Sequence, residues 1–314
     1  MFDRGELRGF LTALAGFAAL AVLLASAPYI LPGQPLLQTL RLHIAGAALV
    51  VAILLFVFSA RWRGLLLAAL AVVSLGEAGY RYFAQQSTRI AMSSQGEGFS
   101  LITYNVLIWN ERAAALADEL LARDADVVFT FESGGLWSEL DRLRERYPHK
   151  LGCDTEAVCD TMILSKTALA GTVGSLSDFS RGRLIVAEST IAGHDVNLVA
   201  VHMTKPYFDL AAEGESRALR RVLAGLEGPV VVAGDFNAAP WSGNLRRLMR
   251  DAALMPAPWH PATWPADLGP LGVPIDNVFT RAPALVETIE AIPDPLGSNH
   301  RGLEAVIRLP GPED

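Results

Sequence analysis

Several polar residues of this chain stand just where runs of strand-forming residues end. Asn105 closes Ile-Thr-Tyr-Asn, Glu132 closes Val-Val-Phe-Thr-Phe-Glu, and His202 closes Val-Ala-Val-His. Asp235 and Asn237 follow Val-Val-Val-Ala-Gly in the run Gly-Asp-Phe-Asn-Ala. Asp276 lies in Pro-Ile-Asp-Asn-Val, and His300 in Ser-Asn-His-Arg-Gly. Singly, an acid or amide after a strand serves as a turn or helix cap, and a lone histidine there is more often structural. The collection points to chemistry, because Asn, Asp and Glu oxygens suit a hard cation such as Mg2+, which takes few carboxylates and keeps several waters.

The elements that must position these residues are readable from periodicity. Phe99 to Asn105 and Asp126 to Phe131 read as buried strands, separated by a helix over Glu111 to Arg123 with Leu116, Leu120 and Leu121 at helical spacing. A second helix is expected over Leu136 to Tyr147. Strands then dominate: Thr161–Leu164, Leu184–Ile191 and Val196–Val201, with a turn at Gly193-His194. A helix over Leu210–Leu226 leads into the strand Pro229–Ala233, and Val273–Thr280, Leu285–Ile292 and Leu303–Leu309 complete the set. This mixed order predicts an α/β domain of two sheets between helices and not a purely parallel sheet.

With Gly-Asp-Phe-Asn-Ala, a downstream Ile-Asp and a final Ser-Asn-His-Arg in this order, the chain from Phe99 to Leu309 resembles the endonuclease/exonuclease/phosphatase superfamily, of DNase I-like fold. The resemblance implies a four-layer α/β sandwich, two mixed β-sheets flanked by helices. It also implies roles. Asn105 and Glu132 resemble the metal-binding pair, His202 the histidine that contacts the scissile phosphate, and Asp235 the residue that orients or activates the attacking water. Asn237 resembles the residue holding a phosphate oxygen, His300 the catalytic histidine, and Asp276 the carboxylate that orients it. Such roles fit phosphate-ester hydrolysis, which needs an in-line water, a cation on the non-bridging oxygens and stabilisation of developing charge. The implied cofactor is Mg2+ or Mn2+.

Two positions depart from the family pattern. The usual Ser-Asp-His is Ser-Asn-His here, so Asn299 brings an oxygen donor without charge to a place that commonly lies near the metal. Asn277 follows Asp276 where many relatives carry His or Tyr, and is expected among the substrate contacts. Lys205 and Tyr207, within Lys-Pro-Tyr-Phe (residues 205–208), offer a cation and aromatics beside the phosphate. The segment Trp259 to Pro265 is either a rigid aromatic loop at the site or ordinary packing of Trp and Pro.

The 314 residues are 51% hydrophobic with a mean hydropathy of +0.31, high for a soluble chain. The excess is concentrated in three runs, Phe10–Leu31, Leu42–Ala60 and Gly64 to about Phe83. Each approaches the roughly 20 apolar residues a membrane span requires, although Glu77 and Arg81 interrupt the third. Residues 1–83 are therefore expected to form a transmembrane segment of about three helices, two being the alternative. Residues 84–98 read as a polar linker and residues 99–314 as the catalytic domain.

Arg4 and Arg8 precede the first run, and Arg61 and Arg63 separate the second from the third. By the positive-inside rule these flanks are cytoplasmic, and an odd number of spans exports the domain to the periplasmic or extracellular side. Cys153 and Cys159 bracket a short acidic loop, a spacing that suits a disulfide in an oxidising compartment.

Of 26 basic and 33 acidic residues, seven and three lie at or before Met92, leaving 19 and 30 beyond it. A domain with that excess of acid is a poor non-specific binder of polyanions. The expected substrate is accordingly a lipid-linked or other membrane-associated phosphate ester, met at the lipid bilayer. An exported nuclease acting on nucleic acid is the alternative. A catalytically dead relative that binds a phosphorylated ligand is a third reading, which Asn299 favours and the other seven residues oppose.

Overall fold

The computed structural model describes residues 4–28, 31, 33–91, 96–178, 180–207 and 209–311. They divide into two compact units: Met1–Ser87 with Trp241–Gly243, and Thr88–Pro240 with Asn244–Asp314.

The first unit is helical, with α1 (Arg4–Ser26), α2 (Gln34–Thr39), α3 (Arg41–Val57) and α4 (Arg61–Ala91). Its interior mixes alanines with Leu11, Val22, Val51, Leu55 and Leu67. Ala15, Ala45, Ala48, Ala52 and Ala71 are buried, whereas Phe17, Val57, Leu66 and Val73 point outward. Small residues let helices approach closely. At Gly64 an added Cβ would lie 2.8 Å from the Ala52 carbonyl oxygen of α3.

Polar side chains in this unit are mutually satisfied. Gln34 Nε2 donates to the Leu24 and Pro28 carbonyls at the end of α1. The buried Arg41 donates to the Ser74 carbonyl at 2.6 Å and pairs with Glu77, so the charge that interrupts the third apolar run meets a partner from α3. Thr12 contacts Arg63, and Ser26 contacts Ser74. These two contacts advance together along both helices, so α1 and α4 run parallel and their N-terminal arginines gather at one end of the unit.

The helix α1 and the α4 stretch Arg61–Ser87 are long and apolar enough to cross a membrane, while α3 is a shorter apolar helix of 17 residues. One expectation changes. The linker assigned to 84–98 is helical as far as Ala91, and its residues 92–95 lie outside the described set. The residues at its start do not oppose a helix: Ala84, Gln85 and Gln86 are good helix formers. Arg89, which belongs with the second unit, donates from a buried position to the Pro256 and Val286 carbonyls of that unit.

The second unit holds two six-stranded mixed sheets. The first is built from β1 (Gly98–Asn105), β2 (Val127–Phe131), β3 (His149–Leu151), β4 (Met162–Ser165), β11 (Leu285–Ala291) and β12 (Leu303–Arg308), in the order β11-β12-β1-β2-β4-β3. The second contains β5 (Ala170–Ser175), β6 (Arg181–Ile191), β7 (His194–His202), β8 (Val230–Asp235), β9 (Met255–Pro256) and β10 (Asp276–Arg281), in the order β5-β6-β7-β8-β10-β9. A parallel pair lies near the middle of each sheet, β1 with β2 and β7 with β8.

Alternation along the strands explains four layers. In β1, Phe99 and Leu101 enter the core between the sheets, with Phe129 and Phe131 of β2 and Leu198, Ala200, Val231 and Ala233 opposite. Ile102 and Tyr104 face the other way, onto α5 (Ala113–Arg123) and α6 (Leu140–Arg146). In the second sheet Val199, Val201, Val230 and Val232 pack outward on α7 (Asp209–Ala224) and α8 (Gly243–Asp251). The expected four-layer sandwich is therefore present.

The elements β3, β5, β9 and α8 are not among those expected from the sequence, and a 3-10 turn (Ser133–Glu139) precedes α6 where one helix over Leu136–Tyr147 is expected. Cys153 and Cys159 form a disulfide across the loop between β3 and β4.

Candidate active site

The register of the second sheet sets the centre of the site. His202 of β7 pairs with Asp235 of β8, which pairs with Asp276 of β10, so three candidate side chains occupy one row across three strands. The strands β7 and β8 end there while the antiparallel β10 begins there. Gly234 makes this approach possible. Its φ is +153°, and a Cβ would fall 1.9 Å from the Val201 carbonyl oxygen, so no side chain can precede Asp235.

The first sheet brings its own strand ends to the same place. Asn105 Nδ2 donates to Asp235 Oδ2 at 3.1 Å and to Glu132 Oε1 at 3.3 Å, linking the two sheets through one amide. Glu132 stands just after β2 in the left-handed region (φ 53°), and its other oxygen accepts from the Ile108 amide at 3.1 Å. Asn237 is also left-handed (φ 50°); its amide hydrogen binds Asp235 Oδ1 at 2.8 Å, and its side-chain nitrogen donates to the Met203 carbonyl. Left-handed backbone at non-glycine residues clusters where a site fixes side-chain direction.

His300 is buried, with Nδ1 2.8 Å from Asp276 Oδ2 and Nε2 3.9 Å from Asp235 Oδ2. Burial pushes its pKa down, but the charges of Asp276 and Asp235 and the Asp276 hydrogen bond outweigh that and hold it at about 9. The imidazolium is thus the resting form near neutral pH.

His202 has a partner that sequence reasoning missed, Asp160, whose Oδ1 lies 2.8 Å from Nδ1. Burial again depresses the imidazole, and Asp160, then Asp235, raise it overall. The carboxylate of Asp160 is pushed up by burial and held below its ordinary value by His202 and Arg183, the latter 3.1 Å away. Asp160 directly follows Cys159 and precedes β4, and its carbonyl accepts from the Ser133 amide and hydroxyl beside Glu132. The one sequence signal is its place next to a strand end, since β4 runs antiparallel to β2.

Asp235 is buried among these groups. Burial and the Asp276 charge raise its pKa, partly offset by His300 and His202. Asp276 Oδ1 is buried without a hydrogen-bond partner among the described residues.

The remaining expected residues are placed differently. Asn299 is exposed, and its carbonyl accepts from the Ala266 amide. Lys205 and Tyr207 are exposed on the loop after β7, whose Phe208 lies outside the described residues. Asn277 is buried, its side-chain nitrogen donating to the Ala238 and Pro274 carbonyls, so it ties the Asn237 loop to the segment before β10.

Replacing Asp160 with Asn should lower kcat about 10- to 100-fold and move the alkaline limb of the rate profile to lower pH, since the charge that raises the His202 pKa is lost. An unchanged rate–pH profile in a folded Asp160→Asn protein would show that the His202–Asp160 pair is structural only.

Residues 102–300 match the model of the Endonuclease/Exonuclease/phosphatase family. Among solved structures, an endonuclease/exonuclease/phosphatase from Beutenbergia cavernae DSM 12333 aligns with a TM-score of 0.56 and 20% identity, over 68% of this chain and 72% of that one. A D. rerio TDP2 humanized by 14 mutations aligns at 0.55 and 19%, covering 67% and 99%. D. rerio TDP2 complexed with single strand DNA product aligns at 0.53 and 18%, covering 68% and 99%. At these identities the likeness is one of fold. A search of curated proteins finds no match.

Proposed function

Because this chain belongs to the endonuclease/exonuclease/phosphatase family, we propose that it is a divalent-metal-dependent phosphoric ester hydrolase anchored in the cytoplasmic membrane. Its substrate on this reading is a lipid-linked or other membrane-associated phosphate ester, met at the outer, periplasmic or extracellular, face. The observation that carries the hydrolase reading is the row His202–Asp235–Asp276 with His300 hydrogen-bonded to Asp276. Two imidazoles, each held by a carboxylate, face one buried aspartate.

The donor set fits a hard cation. Asp235, Asp276 and His300 bring ligand atoms within 4.8 Å of one another. However, Asp276 Oδ2 is committed to His300, and a protonated imidazole repels a cation. Glu132 is the better ligand, with Asp235 at its edge; Asn105 would join them only with its amide turned over, since its nitrogen faces both carboxylates and its oxygen accepts from the Leu107 amide. A bound Mg2+ or Mn2+ supplies charge neutralisation on the phosphate oxygens there.

The chain's own groups divide the remaining work. Asp235 orients the attacking water and accepts its proton, for which a raised pKa is suited. His300 and His202, both favoured in the charged form, stabilise negative charge developing on the transferring phosphate. Asp276 and Asp160 fix the two rings and their protonation. The Asn237 side-chain oxygen and second amide proton remain available to the substrate.

Anchoring is supported by the apolar outer faces of α1, α3 and α4 and by the parallel run of α1 and α4, which matches an odd number of crossings. Three spans put residue 88 onward outside. A C-terminal reporter active only in exported proteins should then work, and Cys153 and Cys159 should resist alkylation until reduced. A reporter that works only in the cytoplasm, with both thiols reactive, would reverse the orientation.

For the substrate, full-length protein is compared on vesicle-borne phospholipids, soluble phosphodiesters and single-stranded oligonucleotides with added Mg2+. Preference for the oligonucleotide would favour the nuclease alternative, for which the fold shared with DNA-bound TDP2 is the supporting observation. No turnover of any ester would favour a ligand-binding relative.

A further inference from the structure

The surface around the strand ends has an unusual composition. The loop after β1 exposes Trp109 at 82%. Its neighbour Ile108, also exposed, donates its amide to Glu132, so this loop borders the site. The chain after His202 exposes Tyr207, and Leu210 at 89%. The segment between β9 and β10 exposes Trp264, Leu268 and, at 73%, Leu271, and it is tied to the site where Ala266 donates to the Asn299 carbonyl. Outside these segments, the exposed large apolar side chains among the described residues of the second unit are Val158, two residues before Asp160, and Val173 on β5. Exposed apolar side chains scatter over ordinary protein surfaces; a rim of them about one site marks an interaction surface.

We infer that this rim is an interfacial docking surface that enters the headgroup region of a phospholipid bilayer and brings lipid phosphates to the site. The inference rests on the membrane-anchored reading above and deepens it. Trp and Tyr favour the boundary where one face is apolar and one edge wet, and leucines enter the acyl boundary.

Charge points the same way. Between residues 257 and 275 Asp267 is the only charged side chain other than a histidine. In the other two segments the cations are Arg112, paired with Asp294, and the exposed Lys205, suitably placed to meet a lipid phosphate. A platform for nucleic acid would combine stacking rings with a cationic groove. Here leucine and isoleucine, which cannot stack, stand among the rings, and cations are scarce.

The test uses full-length protein reconstituted in vesicles of phosphatidylcholine and phosphatidylglycerol. The native thiols are tied in the disulfide, so a single thiol in Trp109→Cys, Leu210→Cys or Leu271→Cys takes a polarity-sensitive dye, with Val173→Cys as the reference. The dyes at the three rim positions are expected to shift to the blue and to be quenched about tenfold more than the reference by lipids carrying a shallow nitroxide, because contact quenching requires the dye in the interface. Rim dyes as solvated as the reference overturn the inference. So does a single-stranded oligonucleotide that shifts the same dyes in detergent, where no bilayer is present. The readout needs no turnover. Quenching without hydrolysis of bis(p-nitrophenyl) phosphate removes the hydrolase reading and leaves the docking surface standing, whereas hydrolysis without quenching does the reverse.

Discussion

His300→Ala is expected to lower kcat on a soluble phosphodiester by about 10^3-fold, on the order of 4 kcal/mol of barrier, with little change in KM. The magnitude follows from the group removed. The His300 imidazole is buried, its Nδ1 is held by Asp276, and its Nε2 turns toward Asp235, where the phosphate would be attacked. Water entering the space left by the ring is neither charged nor fixed.

Asp276→Asn should act in the same direction with a smaller loss, because the ring stays and only its orientation and charged form suffer. It should also shift the alkaline limb of the pH profile downward, since Asp276 is the largest of the influences that raise the His300 pKa. Full turnover in both folded variants would sink the proposed role.

The same shift has a consequence for folding. A histidine whose pKa rises from its ordinary 6.5 to about 9 on folding binds its proton more tightly in the native state. By linkage, its contribution to stability is fully present below pH 6.5 and is lost as pH rises through about 9. In chelated protein, the thermal midpoint of the wild type should fall across that window more than that of His300→Ala. Parallel curves would mean that the charge on His300 does not depend on folding.

Strand ends were the legible part of the site. Asn105, Glu132, His202 and Asp235 close apolar runs, Asp276 interrupts one and His300 shortly precedes one, and the sheets bring them together because these strand ends lie on one side. What could not be read was side-chain direction and distant pairing. Asn277 adjoins Asp276 on β10, so strand alternation turns it to the opposite face, where it meets the Ala238 carbonyl. Asp160 reaches His202 across 42 residues of sequence, a pairing that only the antiparallel return of β4 creates.

The fold shows the same division. Exposed along almost its whole length and containing Gly171 and Gly174, β5 carries no apolar alternation to recognise. In α8, Leu245, Leu248 and Met249 do stand at helical spacing, but the helix has only nine residues and three of them are arginines.

Removing divalent cations is expected to abolish hydrolysis, and Mg2+ or Mn2+ to restore it. Glu132→Gln should raise the metal concentration needed for half-maximal rate by about 10- to 100-fold. The charge balance of the site explains why this residue is decisive. Asp160 is matched by His202 and Arg183, and Asp276 by His300. Asp235 then faces both imidazoles at nearly 4 Å but, among the described residues, has no cation within ordinary hydrogen-bonding distance. Among the described residues Glu132 accepts only from neutral groups, the Asn105 amide and the Ile108 backbone. The uncompensated negative charge therefore lies along the line Glu132–Asn105–Asp235, where a divalent cation would be most strongly held.

A second readout separates metal binding from chemistry. A cation that binds the folded chain and not the unfolded one raises the thermal midpoint with its concentration. That rise should be plain in the wild type and reduced in Glu132→Gln. It should persist in His300→Ala, because His300 is assigned to charge stabilisation and not to ligation. Unaltered turnover in excess chelator would refute metal dependence altogether. If the midpoint responded to Mg2+ equally in the wild type and Glu132→Gln but not in His300→Ala, the cation would belong instead with Asp235, Asp276 and His300. His300 would then be a ligand, and Glu132 would lose that role.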